Sequence, residues 1–373
     1  MNILVNTRLL IYGKLEGIGW FTYELLKRIV KNHPEHTFYF LFDRKYHSEF
    51  VFSSNVIPLV YGPPARHPFL YFVWFEFIVP YVIKKYNIDV FFSPDHMLSL
   101  KAKVPTLLAV HDLNFIHHPE FLPVSEALFY KYFVTRYIKK ANRIVAVSNY
   151  TKNDIINTLN IDKTIIDVVY NAPTLTNNLT DKYDKQEIVK KYSDGKPYFI
   201  YIGSLHKRKN IDRIFKAFES FIEETKSNVN FIFVGKPMWK DKSIDSVYKS
   251  LKYKDKIIFT GYLDSVEATK LLASSLALVF VSLFEGFGIP IVEAMSLGVP
   301  VITSNVTSMP EIADDAALLV DPYSIEEIKE AMKKIYYDEN LRAKLIQKGI
   351  LRSKVFNWDV SAEKLWESIL KLK

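Results

Sequence analysis

The chain of 373 residues contains no cysteine. Disulfides, thiolate metal sites and a cysteine nucleophile are thereby excluded. The same absence suits a cytoplasmic protein. No Asp-x-Asp occurs anywhere, which weighs against a metal-bridged diphosphate and for a site built from cations and backbone. The amino terminus, MNILVNTRLL, lacks a charged region followed by an apolar run and a small-residue cleavage site, so no signal peptide is expected. The most apolar stretch, 69–83, is cut by Glu76 and Pro80 and is too short to span a bilayer. There is no internal repeat, and the lysines form no dense block. The net charge of +8 therefore reads first as a generally basic surface, then as a membrane-facing patch, and last as a nucleic-acid surface. No nucleic-acid partner is expected.

What is present is alternation. Short apolar runs at 2–6, 37–42, 90–93, 106–111 and 144–148 are interleaved with segments of helical spacing such as 20–31 and 149–159. A second series has runs at 198–202, 230–234, 257–260, 277–281, 299–303 and 317–320, with helical segments such as 211–225 and 267–274 between them. Strands alternating with helices predict parallel sheets covered on both faces. The length exceeds what one core supports. Residues 171–197 break the pattern with the polar, turn-rich NAPTLTNNLTDKYDK. The expectation is an α/β chain of two doubly wound domains, 1–175 and 198–357, joined by a linker at 176–197. Ligands of such sheets sit beyond the carboxyl ends of strands, in this case in a cleft between the domains.

The segment 277–303, ALVFVSLFEGFGIPIVEAMSLGVPVIT, is the most informative. An apolar strand runs into Glu285; Gly286-Phe287-Gly288 permits a tight turn; Ile289 and Pro290 suit a first helical turn, and Gly298 a stop. Such a turn presents backbone N–H groups with a helix dipole behind them, a ready anion site. Glu285 precedes the turn and Glu293 lies about one turn into the helix. A carboxylate beside a phosphate site can accept hydrogen bonds from sugar hydroxyls; two surface glutamates flanking an ordinary turn is the plainer reading. A second cluster follows the run 198–202. Gly203-Ser204-Leu205-His206-Lys207-Arg208-Lys209-Asn210 puts Arg208 and Lys209 at a helix entrance, with Asn210 as the expected cap. Fixed cations there would stabilise a diphosphate that gains charge as it leaves; solvated loop cations is the alternative.

EGFGIPIVEAMSLGVPVI closely resembles the signature of the retaining GT-B glycosyltransferases, the glycosyl transferases group 1 family. Its two glutamates, separated by seven residues, match Glu285 and Glu293. The resemblance implies that Glu285 contacts the donor sugar and Glu293 the ribose, with the backbone of Gly286, Phe287, Gly288 and Ile289 facing diphosphate or sugar. SNVTSMPE (304–311) and AALLVDP (316–322) are similar to the family's next segments, and Glu311 is expected to be structural. Arg208-Lys209-Asn210 resembles the family's phosphate-binding pair, which makes Lys209 the leading catalytic cation. Many members carry an arginine after the glycine where this chain has Ser204. Gly235-Lys236 and Gly261-Tyr262-Leu263, each closing a strand, imply backbone contacts to the nucleotide and its base.

The amino-terminal half carries weaker marks. Glu16-Gly17-Ile18-Gly19-Trp20 precedes a helical segment and resembles the family's first glycine loop, so Gly17 and Gly19 are expected near the donor phosphates or acceptor; Thr22 stands where a dinucleotide fingerprint needs a third glycine. His111-Asp112 follows the run 106–110 and looks like the family's sugar-contacting histidine. Asp112 either orients the acceptor or caps the next element. Adjacent histidines His117-His118 rarely point the same way, and no metal is expected. The aromatic stretch 69–77 reads as core-facing; an exposed edge near Lys84 and Lys85 would instead meet a lipid-linked acceptor at a membrane.

The resemblance thus implies GT-B architecture with a last helix, 358–373, returning to the first domain. It implies retaining transfer of a hexose from a nucleotide diphosphate sugar to a saccharide or lipid-linked acceptor, without cofactor or metal. The segments around His111 and His118 look most like mannosyltransferases of bacterial surface-polysaccharide and lipopolysaccharide assembly, which favours GDP-mannose. UDP-glucose, UDP-galactose or a UDP-N-acetylhexosamine is the alternative donor. A non-catalytic sugar-nucleotide-binding protein is the alternative of another class, and a phosphorylase would need a pyridoxal lysine that is not evident. The expected location is the cytoplasm, with peripheral contact at the inner face of the membrane.

Overall fold

The computed structural model describes residues 1–174, 183–235 and 242–372. They fall into two compact units, Met1–Asn171 with Asn357–Lys373, and Ala172–Phe356. The first unit holds a seven-stranded parallel sheet: β1 (Asn2–Asn6), β2 (Thr37–Phe42), β3 (Val56–Val60), β4 (Val90–Ser93), β5 (Thr106–Val110), β6 (Arg143–Ala146) and β7 (Ile166–Val168), in the order β3-β2-β1-β4-β5-β6-β7. The second holds β8 (Tyr198–Ile202), β9 (Asn230–Val234), β10 (Ile257–Gly261), β11 (Ala277–Phe280), β12 (Val301–Ser304) and β13 (Leu318–Val320), in the order β10-β9-β8-β11-β12-β13. Both are doubly wound. Strand order reverses between β1 and β4 in one unit and between β8 and β11 in the other.

The central strands are apolar along their whole length because helices cover both faces. Every residue of β5, β9 and β11 is buried. Helix Ile211–Thr225 shows the matching stripe, with Ile211, Ile214, Phe215, Phe218 and Ile222 buried at helical spacing. Two strands beyond the five expected in the first unit, β3 and β7, lie at the sheet's two edges. β3 contains Pro58, which an edge strand tolerates because one side needs no ladder bond.

Three local readings change. The stretch read as linker contains helix Lys185–Ser193, capped by Asp184 and belonging to the second unit; its hydrophobic spacing is short, with only Ile188 and Ser193 buried. Gly17 and Gly19 lie inside the first turn of helix Gly17–Asn32 rather than before it. The aromatic stretch is helical and divided: Trp74 and Phe75 are fully buried, while Phe69 and Phe77 are exposed.

The last helix, Trp358–Leu370, belongs to the first unit and packs on helix Gly17–Asn32. Arg28 bonds Asp359 at 2.6 Å, and the rings of His33 and Trp366 stack at 3.8 Å. Asn357 caps the helix by accepting from the Asp359 N–H at 2.7 Å.

Candidate active site

In the second unit the loops after β8 and β11 meet at the switch point. A backbone bond from Leu283 N–H to the Arg208 carbonyl, 2.8 Å, ties them together. Lys207–Lys209 form one tight turn, with His206 accepting from the Arg208 N–H at 3.2 Å. This turn aims both cations at one carboxylate. The Arg208 guanidinium lies 2.9 Å from Glu285 Oε2 and also donates to the Phe284 carbonyl at 2.6 Å. Lys209 Nζ bonds Glu285 Oε1 and sits 4.8 Å from the centre of the Phe280 ring.

Glu285 is 7% exposed. Burial alone would raise its pKa; Arg208 and Lys209 more than offset that and hold the carboxyl at about 2. It is ionised at any physiological pH. Both cations of the turn thus meet on this one carboxylate. Tyr201 lies under it. Burial first and the Glu285 charge second push the phenol well above its ordinary range, so it stays protonated and donates to the Ser204 carbonyl at 2.9 Å.

The turn holding Glu285 is braced from behind by the segment after β12. Ser308 Oγ donates to the carbonyls of Glu285 and Phe287 at 2.9 and 3.1 Å, and Thr307 Oγ1 accepts from the Glu285 N–H at 3.3 Å. Gly288 opens helix Ile289–Ser296 at φ +96°, a conformation that favours glycine. Glu293 is buried in that helix. The side chain of Phe287 packs edge-on against Phe356 at 5.4 Å, so this residue presents backbone and not its ring. Glu311 offers its carbonyl to Arg352 at 2.5 Å.

Glycines close the ends of the neighbouring strands. Gly235 pairs with Gly261 at 2.9 Å, and a Cβ on Gly235 would sit 2.1 Å from the Gly203 carbonyl oxygen, so no other residue fits. Ser204 and Tyr262 are exposed beyond these ends and Leu263 is half-buried. Lys236 lies outside the described residues. Asn210 holds the expected N-cap position of helix Ile211–Thr225 but makes no side-chain capping bond: it is left-handed at φ +60°, and its side chain donates to the Pro322 carbonyl at 2.6 Å instead.

In the first unit His111 follows β5. Its Nε2 lies 2.7 Å from the Pro94 carbonyl. A carbonyl only accepts, so Nε2 carries the proton and Nδ1 is left as an acceptor. Burial and the neighbouring His96 hold the His111 pKa down to about 3, against the pull of the Pro94 carbonyl and Asp112. The ring is neutral. Asp112 accepts from the Asn114 N–H at 3.0 Å, which makes it a turn-forming residue. His117 and His118 face different carboxylates, Asp154 at 2.8 Å and Glu120 at 3.0 Å. Among the described residues no three His, Asp or Glu side chains are arranged to hold a metal. Gly19 is required by packing: a Cβ there would lie 3.1 Å from the Leu9 carbonyl oxygen.

Four residues at the first switch point escaped the sequence reading. Arg8, after β1, pairs with Asp95, after β4, at 2.6 Å. Asn6 holds the other Asp95 oxygen at 2.7 Å. His96, left-handed at φ +62°, accepts the backbone N–H of His111 at 3.0 Å. Arg8, Asp95 and His96 lie within three residues after a strand, and Asn6 is the last residue of β1.

Comparison with known proteins agrees with this geometry. The family described as Glycosyl transferases group 1 matches residues 183–352, and Glycosyltransferase Family 4 matches residues 15–174. The chain is 27% identical to O-antigen chain mannosyltransferase B of Escherichia coli over 75% of its own length and 73% of that protein. It is also 27% identical to O-antigen chain mannosyltransferase RfbU of Salmonella typhimurium, over 76% and 72%. Among solved structures it resembles HepE of Anabaena in complex with UDP and glucose, at a TM-score of 0.76 with 16% identity, covering 98% of both chains. Sucrose-phosphate synthase of Thermosynechococcus elongatus is similar at a TM-score of 0.79 and 16% identity, covering 100% of this chain and 98% of that one. With its amino-terminal half matched by Glycosyltransferase Family 4, its carboxy-terminal half by Glycosyl transferases group 1 and both sheets doubly wound, the chain is a glycosyltransferase of the GT-B fold.

Proposed function

We propose that this enzyme transfers mannose from GDP-mannose, with retention of configuration, to a saccharide or lipid-linked acceptor in surface-polysaccharide synthesis. It would work in the cytoplasm at the inner face of the membrane. The observation that carries the reading is the pairing of Arg208 and Lys209 on Glu285 at the β8–β11 switch point. Two cations gathered beside glycine-closed strand ends suit a diphosphate. When the diphosphate takes the two cations, Glu285 is released to accept hydrogen bonds from the donor sugar. Glu293 holds the ribose. Mannose is favoured by the names of the sequence relatives, which are O-antigen mannosyltransferases.

In the reaction the bond from the sugar's anomeric carbon to the diphosphate oxygen breaks, and its electron pair stays on that oxygen. The acceptor oxygen bonds the anomeric carbon from the same face, and its proton passes to the departing phosphate. Arg208 and Lys209 stabilise the charge that develops there. His111, neutral and with Nδ1 as acceptor, orients a sugar hydroxyl but takes no proton. No metal is needed, because the cations are supplied by side chains.

Thermal shift with GDP, UDP and ADP is the direct test, followed by donor hydrolysis with GDP-mannose and the UDP-sugars. Stabilisation by GDP and hydrolysis of GDP-mannose are expected. Stabilisation by UDP alone would replace the donor assignment. No shift with any nucleotide would remove the donor site from the second unit.

A further inference from the structure

Two neighbouring residues after β12 each break the local rule for their position, and both departures point at Glu285. Thr307 is left-handed at φ +58°. A β-branched residue is strained there, because its Cβ crowds the following carbonyl oxygen. Ser308 stands at the N-cap of the short helix Met309–Ala313. A serine hydroxyl in that position ordinarily accepts an N–H of the first turn. Ser308 makes no such bond.

Both hydroxyls serve the backbone of Glu285 instead. Thr307 Oγ1 accepts the Glu285 N–H at 3.3 Å. The Ser308 hydroxyl shares its proton between the Glu285 and Phe287 carbonyls, at 2.9 and 3.1 Å. The N–H and the C=O of one residue are thus held by two consecutive side chains, 22 and 23 positions further along. Ser308 is fully buried, so water does not compete for its bonds. Ser304 adds a tie just before them, donating to the Ser282 carbonyl at 2.6 Å. Glycine would adopt φ +58° without strain, and a serine turned to its own helix would cap it. A strained threonine beside an uncapped helix start lowers stability, and such departures gather where a site needs them.

Glu285 has a second anchor, and the reaction removes it. Its carboxylate is held by Arg208 and Lys209. On the function proposed above, on which this inference rests, a diphosphate takes those cations just when the carboxylate must stay aimed at the sugar. An anchor on the side chain is then lost at the moment of use, whereas an anchor on the backbone is not. We infer that Thr307 and Ser308 are positioning residues for transfer. They fix the Glu285 peptide independently of the cations, so the carboxylate keeps its place once the diphosphate is bound.

The experiment measures kcat and donor KM for hydrolysis of whichever nucleotide sugar the unaltered enzyme turns over fastest, together with melting temperature. T307G removes the hydroxyl and relieves the backbone at once. Its kcat should fall about tenfold or more, while donor KM stays within about twofold, because the cations and the glycine-closed strand ends are untouched. Its melting temperature should not drop. T307S keeps the hydroxyl and should recover most of the lost kcat. S308A should lose kcat as well, and also stability, since it leaves buried carbonyls without a donor; T307G therefore carries the test. Full kcat in T307G would overturn the inference, and so would a loss that T307S fails to recover, or a donor KM raised as much as kcat is lowered. A melting temperature more than about 3 °C lower in T307G would overturn it too, by removing the strain it starts from. E285Q keeps the two readings apart. If E285Q retains full activity, the proposed role of Glu285 fails; if E285Q is inactive and T307G fully active, only the positioning role fails.

Discussion

The two sheets reverse strand order in the same way, yet the charges at their switch points differ in kind. In the first unit the switch point holds a balanced pair: one guanidinium, Arg8, on one carboxylate, Asp95, both buried, with Tyr71 5.1 Å from the guanidinium. In the second it holds a convergence: two cations on Glu285. A balanced, enclosed pair has its charge cancelled and its polar atoms occupied by Asn6 and the Ala65 carbonyl. It can hold strand ends in place but offers no net field to an anion. In the second cluster the two cations of one turn converge on a single carboxylate. One topology thus carries a one-to-one pair in one half and, in the other, the convergence of cations where the diphosphate is proposed to bind.

The largest effect should come from unbalancing the joint. Asp95→Asn keeps the shape but leaves Arg8 buried beside a neutral amide. Removing one partner of a buried pair costs about 3–5 kcal/mol. Urea unfolding should show that loss in the first unit. A cost below about 1 kcal/mol would mean that water reaches the pair and that the two switch points are less different than their burial implies.

Balancing the second cluster is the converse. Lys209→Ala leaves Arg208 and Glu285 one to one. Transfer from the donor should fall about 10²–10³-fold, the usual loss for one fixed group that meets developing charge. Stability should change less than in Asp95→Asn, because Glu285 keeps a counter-ion. Full transfer activity in steady-state assays would show that the second cation is not what the reaction uses.

How much of this could be read beforehand follows from the same contrast. The cluster of Arg208, Lys209 and Glu285 was legible because its residues sit in strand–turn–helix segments of recognisable form: EGFG after β11 and HKRKN after β8. The central strands were legible because they are apolar throughout. The edge strands were not: Pro58 interrupts β3, and β7 is three residues long. Arg8 and Asp95 were missed because 87 positions separate them and neither belongs to a local pattern; only the strand order makes them neighbours. His111 was found, but its tautomer was not, since that rests on the Pro94 carbonyl across the sheet. Asn210 stands at the helix entrance as read, but its side chain is drawn to Pro322, 112 positions away, and does not cap.

The smallest predicted effect separates the halves by pH. His111 is neutral when folded, with its pKa held near about 3 against an ordinary 6.5. Between those values the unfolded chain binds a proton that the folded unit refuses, so stability falls as pH drops below 6.5. Glu285 behaves differently. Its folded value of about 2 lies below the ordinary 4.5, so its contribution is complete above pH 4.5 and is lost only as pH falls from there toward 2. From pH 7 to 5 the second unit's carboxylate therefore contributes almost no change, while His111 costs the first unit about 2 kcal/mol. Asp95, raised by burial despite Arg8, acts in the opposite direction and blunts the total. His111→Gln isolates the histidine, because glutamine can still donate to Pro94 without titrating. Chemical unfolding at pH 7 and pH 5 should show the wild type losing about 2 kcal/mol more than the variant. Equal losses would mean that the His111 ring takes up its proton in the folded state, and Nδ1 would then be a donor where the proposed site needs an acceptor.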